Sequence, residues 1–214
     1  MESAFTVQLF DLLVYLLPGL IILLAIFLFL KERFPTKLIV SEAKFAIVYV
    51  LLFSFFAGVL IHIASTGAMA LYRRIVHSNY LHEAMNTFED QESVKRIVTE
   101  KLHANWQKGD ALYQDDLLYR YAEIVVHEKA SHQSASVSRL MALSIFCRNT
   151  LAPVAFLALA LFPRIPGRRR WYRWLLFSVA VFSIEFLLIQ GMIQYRATAA
   201  RLTFRTLIIL YAGT

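Results

Sequence analysis

Four long apolar stretches, two near each end of the chain, constrain the fold more than any other feature. They cover residues 9–30, 45–64, 140–162 and 174–193. An α-helix needs about 20 mostly apolar residues to cross a hydrocarbon layer of about 30 Å, and each stretch is long enough. Lipid offers no hydrogen-bond partners, so every backbone N–H and C=O inside it must be satisfied internally, which favours helices. The first stretch carries only Asp11 as a charge and stops at Lys31, Glu32 and Arg33. The expected fold is therefore all-α: a polytopic membrane protein with four transmembrane helices and a helical module between spans two and three. Residues 1–72 form one transmembrane hairpin, 73–139 the extramembrane module, 140–194 a second hairpin and 195–214 a basic, apolar tail.

Composition agrees with this division. A chain that is 58% hydrophobic, with mean hydropathy +0.56, is not an ordinary soluble domain. A net charge of +7 would suggest nucleic acid in a soluble chain. Here it fits loop cations that fix topology and meet anionic lipid headgroups. The first residues, Met1, Glu2 and Ser3, lack the basic start of a signal peptide, so the first run reads as a retained span. Cys147 is the only cysteine and falls within span three, so it forms no intrachain disulfide. Neither a lipidation motif nor an internal repeat is visible.

Within the spans, Pro18-Gly19 predicts a bend in span one. Ser54 and Gly58 are spaced four apart on span two, the spacing that lets helices approach closely in lipid, and so mark a helix-packing face. His62 continues that spacing and is expected at the interface. In the middle segment, Val94, Ile97, Val98, Lys101 and Leu102 form one helical stripe behind capping candidates Asp90 and Ser93. Gly109-Asp110 is a break, and Leu117, Leu118, Tyr121, Ile124 and Val125 form a second stripe. Neither helix can bury its stripe alone, so they must pack on each other, on the span ends or on another subunit. Residues 131–138 are either a joint or a polar continuation of span three. The tail is too short to cross and must lie in the interface or dock on the middle helices.

Two charges lie inside spans. Arg148 is eight residues into span three and Glu185 eight before the end of span four. On antiparallel neighbours this puts both about 12 Å from the same end. An unpaired charge there costs at least ~2.5–3.5 kcal/mol, so an intramembrane polar pair is expected. Asn149 and Gln190 would complete it, with Asp11 as a rival partner for Arg148.

The two short links, 31–44 and 163–173, hold nine basic residues and two acids; the second carries Arg164, Arg168, Arg169, Arg170 and Arg173 with no acid. Short basic loops stay cytoplasmic, which puts the middle module outside, in the periplasm of a Gram-negative cell. Trp171, Tyr172 and Trp174 resemble an interfacial aromatic belt.

Catalytic chemistry is sparse. Arg96 to His103 and Arg120 to His127 fit R-x6-H, the loose end of the pattern in HEPN ribonucleases, where His and Arg meet at a dimer interface on an RNA 2′-hydroxyl. The polar residue usual after that Arg is replaced by Ile97 and Tyr121. His77 and His82 are five apart, as are His127 and His132, a poor spacing for metal on one helix face. No phosphate loop, nucleophile elbow or HExxH is present, so neither enzyme, metal nor cofactor is expected.

The outline, from Phe10-Asp11-Leu12-Leu13 through Pro18-Gly19 to two paired spans around a helical module, resembles the small four-span membrane subunits of bacterial antiphage defence systems, the KwaA-like subunits of Kiwa. That resemblance implies a homo-oligomeric inner-membrane sensor that detects phage-induced disturbance. It would hold a soluble, nucleic-acid-binding partner protein against its cytoplasmic basic links without touching nucleic acid itself. The resulting expectation is a membrane sensor or scaffold subunit. The alternatives are a subunit of a small ion-conducting pore, suggested by Arg148 and Glu185, and a membrane-tethered HEPN-like ribonuclease.

Overall fold

The computed structural model describes residues 2–30, 43–76, 88, 91–101, 111–162 and 171–212, with side chains for 12–30, 47–69, 88, 92–100, 118–162 and 171–212. Among them there are six α-helices and no strand: α1 Glu2–Leu30, α2 Ala43–Val76, α3 Gln91–Arg96, α4 Ala111–Lys129, α5 Ser131–Leu161 and α6 Trp171–Tyr211. A single π-helical turn, Ile97–Lys101, continues α3. Four of the helices, α1, α2, α5 and α6, are long and apolar enough to cross a membrane. The fold is all-α, with the helices of an integral membrane protein. Asp90, Leu102, His77, His82, His103, the Gly109-Asp110 break and most of both basic links lie outside the described residues, as does the side chain of Asp11.

The chain divides into two compact units. The transmembrane unit comprises Gln8–Ala70 and Ile145–Met192. A close backbone contact joins α1 to α2. A Cβ on Gly19 would collide with the carbonyl of Ser54, and one on Gly58 with the carbonyl of Tyr15. Backbone therefore meets backbone, which only glycine permits. Pro18 lies buried inside α1 without ending it. Ser54 is fully buried, and its hydroxyl donates to Val50 O at 2.6 Å. The face that the four-residue spacing marked is thus occupied within one chain. Where α5 ends and α6 begins, Phe162 and Trp174 meet edge to face at 3.9 Å. The outer surface is apolar: Phe182 is 74% exposed, and seven successive residues from Ile47 to Phe53 are all exposed. Lipid covers such a surface without cost, as water does not.

The second unit comprises Met1–Val7, Leu71–Ser144 and Ile193–Thr214. Its core gathers Val94 and Val98 from the α3 region, Leu118, Ala122 and Val125 from α4, and Ala200, Phe204 and Leu207 from α6. Phe204 is fully buried, with Phe88 at 5.8 Å and the Tyr119 ring edge-on at 6.1 Å. Of the two places open to the tail, the structure shows docking on the middle helices, as the unbroken end of α6. The first predicted stripe is buried at Val94, Ile97 and Val98. The second needs correction. Leu118 and Val125 are buried, but Ile124 is 55% exposed. The buried line of α4 runs through Leu118, Ala122 and Val125, and at 100° per residue Ile124 falls on the opposite side. The Ser131–Ser138 region is helical continuation. Only Ala130 interrupts it, and the bonds Ala130 N–H to Val126 O and Ser134 N–H to Ala130 O carry the helical pattern across.

Candidate functional site

Three consecutive polar residues on α5, Arg148, Asn149 and Thr150, are buried at 7%, 0% and 5% exposure. Thr150 satisfies its hydroxyl on Phe146 O. The other two face His62 of α2. Arg148 Nη2 lies 3.1 Å from His62 Nδ1, and Asn149 Nδ2 lies 3.3 Å from the same nitrogen. Ser65 Oγ stands 2.9 Å from Asn149 Oδ1 and 3.0 Å from His62 O. From α1, the Tyr15 ring meets the imidazole edge to face at 5.3 Å. One cation, one imidazole, one amide and one hydroxyl thus form a connected network inside the transmembrane unit.

The hydrogen-bond pattern assigns the tautomer. A guanidinium only donates, so Nδ1 must accept and the proton must sit on Nε2. The imidazole at this site is neutral. A charge-assisted hydrogen bond contributes about 1.5–3 kcal/mol, comparable with the insertion cost of a lone span cation. His62 therefore offsets much of what Arg148 costs.

The expected Arg148–Glu185 pair is not formed. Arg148 turns to His62, and Glu185 makes no hydrogen bond or ion pair with any described residue, although its Oε1 is buried. Equal depth matched the two heights but left rotation about α6 undetermined, and rotation decides contact. Asn149 joins the cluster as expected; Gln190 does not bond to any described residue. His62 is the residue that the sequence reading missed, having been assigned to the interface. Its signal was there: four residues after Gly58, on the face that packs inward.

Of the basic link, Arg164, Arg168, Arg169 and Arg170 lie outside the described residues, and Arg173 is half-buried in the first turn of α6. In the second unit, Arg120 and His127 lie on one helix, both exposed, and His127 Nδ1 is 2.8 Å from Ser134 Oγ. His127 and Ser134 border a groove of about 360 Å³ whose walls also include Glu123, Glu128 and Thr203. Glu123 is exposed overall, but partial desolvation of its carboxyl pushes it above its ordinary range, against the pull of Arg120, His127 and the Tyr119 hydroxyl. Among the described residues no three His, Cys, Asp or Glu side chains are grouped to hold a metal ion. The chain matches no family model, no curated protein and no solved structure.

Proposed function

We propose that this protein is a non-enzymatic, oligomeric sensor or scaffold subunit of a bacterial inner membrane, with its helical module in the periplasm and its basic links facing a soluble cytoplasmic partner. One observation carries the reading. The single 41-residue helix α6 supplies both an apolar span and, through Ala200, Phe204 and Leu207, part of the buried core of the helical module. A helix with both assignments suits a device that reports membrane state to an extramembrane surface. The basic residues Arg164, Arg168, Arg169 and Arg170 suit an acidic partner surface, and the outline shared with Kiwa-type membrane subunits suits antiphage defence.

Oligomerisation no longer draws support from Ser54 and Gly58, which are used within the chain. Crosslinking in native membranes tests the proposal. A discrete multimer, with a partner released by salt and lost on Arg168→Glu and Arg169→Glu, is the expected result. Monomer alone, with nothing bound to the basic links, would overturn it.

A second reading has its own observation. His62, Arg148 and Glu185 place three ionisable groups within one transmembrane unit, the residue types that line ion paths. Reconstituted protein would then pass current that changes on Glu185→Gln.

A further inference from the structure

We propose that Glu185 is a proton-loaded carboxyl set into the seam by which α6 joins the transmembrane unit, with one oxygen buried there and the rest of the side chain reachable by lipid-soluble carboxyl reagents. The inference rests on the packing of α6 and does not depend on the sensor reading.

The seam is narrow. Along the span, Trp174, Phe177, Val181, Glu185, Leu188 and Met192 are half-buried or buried, at steps of three and four that keep to one face of the helix. The side chains beside Glu185 turn outward: Phe182 is 74% exposed, Phe186 60% and Leu187 67%. At one end of the seam Phe162 of α5 meets Trp174 at 3.9 Å and Phe177 at 6.3 Å. At the other end Met192 is buried. Glu185 therefore holds a packing position in a stripe whose other members carry no charge.

A carboxylate in such a position needs a cation or several hydrogen-bond donors, and the described residues supply neither. Glu185 Oε1 is buried and has no hydrogen-bond partner among them. The titratable and charged side chains described in this unit are Tyr15 of α1, Tyr49 and His62 of α2, Cys147 and Arg148 of α5, and Tyr172 and Arg173 of α6. Glu185 bonds to none of them. The side chain of Asp11 lies outside those described. Burying an ionised carboxylate without a partner costs far more than burying the neutral acid, so the group keeps its proton instead. This separates the site from a group lining a wetted ion path, which water keeps ionised.

A neutral acid facing lipid has a characteristic reactivity. A carbodiimide takes the carboxyl proton onto one nitrogen while the carboxyl oxygen adds to its central carbon. The acyl group then moves from oxygen to nitrogen, giving a stable N-acylurea from which no atom is lost. An ionised carboxylate lacks the proton for the first step.

The full chain in lipid nanodiscs is treated with dicyclohexylcarbodiimide, which partitions into lipid, at about pH 5.5 and about pH 7, with a free glutamyl peptide in the buffer as internal standard. Mass spectrometry locates the adducts. The peptide ionises at about pH 4.3, so its rate should fall about thirtyfold between the two conditions, while that of Glu185 should change by less than about twofold. A cationic, water-soluble carbodiimide should leave Glu185 unmodified. No adduct at Glu185 in either condition overturns the proposal, as does a rate that falls in step with the peptide. Labelling by the cationic reagent overturns it too, because the carboxyl would then stand in water.

Discussion

Gly19 and Gly58 differ from Gly67 in what an added methyl group would meet. At the first two it would strike a carbonyl of the facing helix; at Gly67 nothing lies within 4 Å. Backbone cannot yield as a side chain tip can, so Gly58→Ala should destabilise by about 1–3 kcal/mol or more. Gly67→Ala should be neutral or gain up to about 1 kcal/mol from helix propensity. Unfolding by sodium dodecyl sulfate in mixed micelles measures both, and equal effects would contradict the packing described. Glu123 offers a pH test. Its folded pKa is raised, so the folded state holds the proton more tightly than the unfolded chain. Stability then falls as pH rises through the unfolded carboxylate value towards the folded one. Glu123→Gln should thus raise the melting temperature at neutral pH, with the difference closing in acid below both values. An unchanged melting temperature at neutral pH would count against that desolvation.

The four apolar helices were legible because length and hydropathy suffice to specify a span. The docked end of α6 was legible only as one of two options, since amphipathic residues suit an interface and a module core alike. The buried face of α4 was read off by about half a turn at Ile124, because Tyr119, Ala122 and Val126 are weak signals by size or polarity yet all are buried. Phe204 is the test of that core. Phe204→Ala should cost about 3–5 kcal/mol and open the helical module to limited proteolysis. The His62–Arg148 contact belongs to the transmembrane unit and should survive. Loss of protection confined to the spans would show that the α6 end is not a core element.

The whole molecule raises the question of sidedness, for which sequence supplies only a charge bias. In a Cys147→Ser background, Asp110→Cys should react with an impermeant maleimide added outside intact spheroplasts, and Arg168→Cys only after lysis. The opposite pattern would place the module in the cytoplasm. The polar cluster was less legible than the spans, because it depends on which of several helices each residue faces, and hydropathy does not encode rotation. At 1.5 Å per residue the 41 residues of α6 extend about 60 Å, twice the hydrocarbon thickness. Bilayers that thin or thicken make helices tilt. The same continuous helix carries exposed, lipid-suited Phe182 and core-forming Phe204, so its 41 residues answer to two different solvents.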